Sequence, residues 1–145
     1  MFLNPDNDVI IGLLEESRTV AVVGLSAKPD RDSFRVARYM QEQGYRIIPV
    51  NPALKREVLG EKPYASLAEV PCKVDIVNVF RRSEDVPLVV EAALPLKPKV
   101  IWMQLGIKNE EAAERVAGEG VTVVMDRCIK IEHGRLLGEL CLGNK

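Results

Sequence analysis

The segment Gly24-Leu25-Ser26-Ala27-Lys28-Pro29-Asp30-Arg31-Asp32-Ser33 concentrates groups that bind phosphate. Ser26 and Ser33 bring hydroxyls, Lys28 and Arg31 bring cations, and a helix starting near Asp32 would offer unpaired N–H groups to an anion. A dinucleotide fingerprint needs G-x-G-x-x-G, whose second glycine lets the backbone approach a pyrophosphate. Those positions hold Gly24, Ser26 and Pro29, so a hydroxyl stands where that glycine belongs. The acidic residue expected about 20 residues on, for ribose hydroxyls, is also missing. Val50-Asn51-Pro52 stands there instead. Ordinary NAD binding is disfavoured, whereas a ligand with several phosphates is not. More cations arrive from other segments: Lys55 after Asn51-Pro52, and Arg81 and Arg82 after Val79-Phe80. Arg35 and Arg38 continue the helical stripe begun by Arg31 and read as a solvated face. Arg81, directly after a buried run, reads as a ligand group.

Other chemistries find less support. The single histidine, His133, flanked by Glu132 and Gly134, cannot build a nucleophile–base–acid set and reads as an exposed or hydrogen-bonded bystander. Cys72, Cys128 and Cys141 are odd in number and widely spaced, which suggests neither a disulfide framework nor a metal site. Cys128, near Asp126, Arg127 and Lys130, is the one reactive candidate, and buried packing is the commoner role for such a thiol.

These groups need a scaffold that brings segment ends together. Runs at 19–23, 46–50, 74–79, 99–103 and 121–124 read as buried strands, with Pro49 placing the second near a sheet edge. Between them, helical spacing marks 32–43, closed by Gly44, then 83–94, and a helix capped by Asn109 that runs to about Ala117. Smaller elements are expected at 8–17, with Val9, Ile10 and Leu13 inward, at Val58-Leu59 as an edge strand, and at Ser66, whose spacing to Glu69 is that of a capping box. Residues 129–145 read as a tail outside a core spanning about 19–125. Alternating strands and helices call for a single Rossmann-like, doubly wound α/β domain over 1–145, its mainly parallel sheet covered by helices on both faces. Ligands in such sheets sit beyond the carboxyl ends of the strands, which is where Gly24, Asn51, Phe80 and Gln104 fall.

Val22-Val23-Gly24-Leu25-Ser26, Ile48-Pro49-Val50-Asn51-Pro52, Phe80-Arg81, Trp102-Met103-Gln104-Leu105-Gly106 and Val124-Met125-Asp126-Arg127-Cys128-Ile129 resemble the motifs of the small stand-alone CoA-binding proteins. That family is similar to the N-terminal CoA-binding domain of the succinyl-CoA synthetase α subunit. The resemblance implies coenzyme A or acyl-CoA binding by Gly24, Leu25, Ser26 and Ala27, by Lys55, and by Val79, Phe80 and Arg81. From the strand ends themselves, Lys28, Arg31, Ser33, Asn51, Pro52 and Gln104 join the candidate site. The pyrophosphate and 3′-phosphate of CoA suit such cations and backbone donors, and the Phe80 ring suits adenine or pantetheine, or else packs as a core residue.

With 145 residues, 47% hydrophobic, 28% charged and a net charge of -1, the chain suits one soluble globular domain without a dominant basic surface for nucleic acid. No apolar run reaches a membrane span and no signal-peptide core is evident, so a reduced, cytoplasmic setting is expected. The leading reading is a non-catalytic carrier, sensor or component of a CoA-dependent system, alone, as a homo-oligomer or with a protein partner. An NADP-linked oxidoreductase or redox sensor, and a protein-docking regulatory subunit, are the alternatives.

Overall fold

The structure, a computed structural model, describes residues 2–143, with side-chain environments through residue 138. Five parallel strands form one sheet in the order β2-β1-β3-β4-β5: β1 (Thr19–Val23), β2 (Arg46–Val50), β3 (Ile76–Val79), β4 (Val100–Met103) and β5 (Thr122–Val124). Alternate residues of these largely apolar runs face opposite sides. Ala21, Val23, Val77, Val79, Ile101 and Met103 pack on one face. Val20, Val22, Ile76, Val100, Trp102 and Val124 pack on the other. Helices cover both faces, giving the expected Rossmann-like α/β fold. On the Trp102 side lie α1 (Asn7–Glu16), α2 (Asp32–Glu42) and α5 (Ile129–Gly143); α3 (Val86–Ala93) and α4 (Glu110–Gly118) cover the other.

Pro49 sits in edge strand β2, and its carbonyl points outward to the N–H of Tyr64 at 2.9 Å. The N–H that proline lacks would face the same outer edge, where no strand needs it. Asn109 caps α4 by accepting from Ala112 N–H at 2.9 Å. Asp75, at the opposite end of the sheet from the candidate site, accepts from the N–H groups of Arg18 and Thr19 at 2.8 and 3.1 Å and pins the start of β1.

Several expectations change. In α1 the buried residues are Ile10 and Leu14, while Val9 is exposed, because α1 also leans on α5 and its inward face is set by two neighbours. Residues 67–69 form a single 3₁₀ turn: the Ser66 hydroxyl turns to the Glu69 carboxylate at 3.3 Å and caps no backbone N–H. Val58-Leu59 is not a strand; Val58 exchanges both backbone bonds with Glu61 around a tight turn at Leu59 and Gly60, both at positive φ. The segment 83–94 begins with a 3₁₀ turn at Ser83–Asp85, ahead of Pro87. Residues Ile129–Gly143 are a helix rather than a tail, and Ile129 and Leu137 are buried in the core; residues 144 and 145 of that expected tail lie outside the described residues.

Candidate functional site

Chain order and spatial order part company at β1: the chain goes outward to β2 and then crosses back to β3 on the other side. A crevice opens at such a switch point, beyond the carboxyl ends of β1 and β3. Gly24 and Phe80 meet there. Gly24 N–H donates to Val50 O and Phe80 N–H to Val23 O, both at 2.8 Å. Gly24 has φ +92°, and a Cβ on it would lie 2.1 Å from the Phe80 carbonyl oxygen. Only glycine allows the two loops to approach this closely.

Phe80 lines three clefts in common. The first, about 560 Å³, is lined by Gly24, Ser26, Lys28, Arg31 and Ser33 together with Asp30 and Asp32, at the N-terminus of α2. The second, about 380 Å³, runs past Val36, Gln104, Leu105, Ile107, Cys128 and Ile131, with Asp32, Arg35 and Lys130 also in its wall. The third, about 530 Å³, holds Arg81, Arg82 and Asp85. A long ligand laid across Phe80 would meet cations and helix N–H groups in one direction and apolar side chains in another.

The loop after β1 is braced from within. Ser33 is buried, and its hydroxyl accepts from Ser26 N–H at 2.9 Å. The Ser26 hydroxyl accepts from Lys28 N–H at 3.1 Å. Both oxygens expected to meet a ligand thus already hold the loop, though each keeps its O–H donor. Leu25 and Val79 are fully buried, backbone included, and line none of the three clefts. Asn51 acts as a tie, donating to Leu25 O at 3.1 Å and accepting from Ala53 N–H at 3.0 Å. Ala27, Pro52 and Lys55 are exposed, and none of them lines these three clefts.

Charges sort the cations. Arg82 pairs with Asp85 and Glu84, and Arg35 with Asp32 and the Asp30 carbonyl. Arg38 lies over the Phe34 ring at 5.9 Å. Lys28, Arg31 and Arg81 have no ion pair among the described residues and remain available to an anion. The pairing of Arg35 also offsets the Asp32 carboxylate at the mouth of the first cleft.

Gln104, at the end of β4, is buried. Its Oε1 accepts from Asn78 Nδ2 and from Ile129 N–H, the first helical N–H of α5, each at 3.3 Å. Cys128 is half-buried beside it in the second cleft. His133 stands elsewhere: it is buried, shares a 3.0 Å hydrogen bond with the Tyr39 hydroxyl through Nδ1, and meets the edges of Tyr39 and Tyr45. Burial pushes its pKa below the ordinary histidine value. Trp102 is buried in β4, and its indole N–H donates to Arg127 O at 2.8 Å. Sequence reasoning did not bring Leu105, Ile107 or Ile131 to the site; an exposed apolar residue beside a strand-end glycine, as in Leu105-Gly106, was the one signal available. Among the described residues no group of His, Cys, Asp and Glu is placed to hold a metal ion. No helix there is long and apolar enough to cross a membrane.

The family model described as a CoA binding domain matches residues 18–134. "Uncharacterized protein YneT" of Bacillus subtilis (strain 168) is 49% identical over 130 residues, covering 90% of this chain and 96% of that protein. A solved Thermus thermophilus structure superposes with a TM-score of 0.88 at 37% identity, covering 91% of this chain and 99% of the other. A protein from Pyrococcus horikoshii OT3 gives 0.88 at 35% identity, over 95% and 99% of the two chains. The alpha subunit of an ADP-forming acetate–CoA ligase from Pyrococcus furiosus is 35% identical over 79 residues, which is 51% of this chain and only 17% of that subunit. The likeness to an acyl-CoA synthetase subunit therefore comes through an acetate ligase.

Proposed function

The chain belongs to the CoA binding domain family, and from that premise we propose that it binds coenzyme A or an acyl-CoA across the β1/β3 switch point. The observation that carries this reading is the meeting of three clefts at Phe80, with Lys28, Arg31 and Arg81 unpaired among the described residues around it. The first cleft takes phosphates on the α2 N-terminus, Lys28 and Arg31; Arg81 takes a further phosphate from the far side of Phe80. Phe80 and the apolar side chains of the second cleft, Val36, Leu105, Ile107 and Ile131, take the uncharged part of the ligand. The protein acts as a carrier, a sensor or a component of a CoA-dependent system rather than as a ligase. In support, its single histidine is engaged with Tyr39 and lines none of the three clefts.

Titration with CoA, acetyl-CoA, NAD and NADP by calorimetry and thermal shift tests this. Ligand at a hundredfold excess over Kd stabilises the folded state by about 2.7 kcal/mol, a clear rise in melting temperature. A response to NADP with none to any CoA species would overturn the reading.

A further inference from the structure

The geometry points to Cys128 as a capture site for oxidised coenzyme A, which it takes up as a mixed disulfide at the thiol end of the groove. This rests on the CoA reading above and adds a covalent step to it.

The second cleft joins the first through Phe80 and Asp32, so one extended ligand can hold its phosphates at α2 and reach Cys128 with its other end. The walls there suit pantetheine. Leu105 and Ile131 are 61% and 57% exposed, an apolar lip at the mouth that a flexible amide-bearing chain would cover. Gln104 is only 6% exposed, yet its amide nitrogen has no hydrogen-bond partner among the described residues. Its orientation is not ambiguous: Asn78 Nδ2 and Ile129 N–H are both donors, so the oxygen must face them and the nitrogen must face the cleft. No fully enclosed side-chain polar atom lacks a partner among the described residues, which leaves this nitrogen open to the cleft beside Cys128. An N–H donor without a partner among the described residues, in a cleft that also holds apolar Leu105, Ile107 and Ile131, suits a carbonyl, and pantetheine carries amide carbonyls on the way to its sulfur. Cys72, by contrast, is packed against the core of the opposite sheet face and lines none of these clefts.

In the exchange step the Cys128 sulfur, as thiolate, attacks one sulfur of CoA disulfide. A new S–S bond joins Cys128 to one CoA, the donor's S–S bond breaks, and the other CoA leaves as a thiolate that takes up the proton Cys128 gave up. The donor supplies the oxidising equivalents, so no further oxidant is needed.

Intact-mass analysis under non-reducing conditions, after incubation with CoA disulfide, is expected to show a gain of one CoA less two hydrogen atoms. Peptide mapping should place it on Cys128, with Cys72→Ser unchanged and Cys128→Ser unmodified. Prior docking of the phosphates raises the local concentration of the reacting sulfur, so CoA disulfide should react at least ~10-fold faster than glutathione disulfide. Adenosine 3′,5′-bisphosphate, which lacks the thiol arm, should slow the reaction of unaltered protein by competing for the phosphate cleft. Modification at Cys72 or Cys141, or equal rates with both disulfides, would overturn the inference. Calorimetry with reduced CoA on Cys128→Ser separates the two claims. Retained binding with no preferential exchange in the parent sinks the capture site alone, whereas no CoA binding in either protein sinks the functional reading beneath it.

Discussion

Replacing Gly24 by alanine would drive a methyl group into the backbone of the neighbouring loop. The new Cβ would sit 2.1 Å from the Phe80 carbonyl oxygen and 3.0 Å from its carbon, and no flexible side-chain end is there to swing aside. An L-residue at this positive φ costs about 1–2 kcal/mol by itself. Parting the loops also strains the Gly24–Val50 and Phe80–Val23 backbone bonds, both 2.8 Å, at about 0.5–1.5 kcal/mol each. The combined loss is about 2–5 kcal/mol, a large share of the roughly 5–15 kcal/mol that holds a domain folded. Melting by circular dichroism should fall by roughly 10 °C, at about 2–4 °C per kcal/mol for a chain near this size. Gly44→Ala is the matched control: its φ is +102°, but nothing lies within 4 Å of the added carbon. It should lose only the conformational part, about 1–2 kcal/mol. Folded Gly24→Ala should also bind CoA more weakly, because Phe80 walls every cleft of the groove. Urea titrations of the two variants side by side decide the matter. If Gly24→Ala is no less stable than Gly44→Ala, the loop contact does not carry the strain assigned to it.

Arg81→Ala is expected to weaken CoA binding by about 1–3 kcal/mol in calorimetry, since a charge-assisted phosphate bond is lost. Arg82→Ala, whose guanidinium is already held by Glu84 and Asp85 on the surface, should change affinity by less than about 1 kcal/mol; equal losses would contradict the distinction. Acidification should destabilise the fold through His133. Its folded pKa lies below the ordinary 6.5 because burial disfavours the charged ring, so the unfolded chain binds the proton first and stability falls as pH drops below about 6.5. His133→Phe should flatten the urea-midpoint profile in that window. Glu132 acts lower down. Burial raises its pKa, but Arg135 and Arg127 outweigh that and hold it below the ordinary 4.5, so its contribution is present above about 4.5 and is lost as pH falls through the folded value. Glu132→Gln should therefore alter the acid limb and leave the His133 window in place. Ser33→Ala strands the Ser26 N–H and should cost about 1 kcal/mol in urea unfolding.

Much of the scaffold was legible because its signals are local. Val20 to Val23 and Val100 to Met103 are apolar at every position, as strands covered on both faces must be. Asn109 and Pro49 announce a cap and an edge through their own bonding limits. The inward face of α1 was not legible, because neighbours distant in the chain choose between Val9 and Ile10. Nor was α5, whose pattern is interrupted by Gly134 and Gly138. Composition and motif determined an α/β domain with a loop rich in hydroxyls and cations after β1 and a cation after β3. Only the tertiary structure decided which of those groups remain open to a ligand. It turned the Ser33 hydroxyl toward the Ser26 N–H, paired Arg82 and left Arg81 without an ion pair among the described residues. It also set Cys128 beside Phe80 and Gln104. Backbone propensity is written residue by residue, whereas availability depends on which partners the crossovers bring within reach.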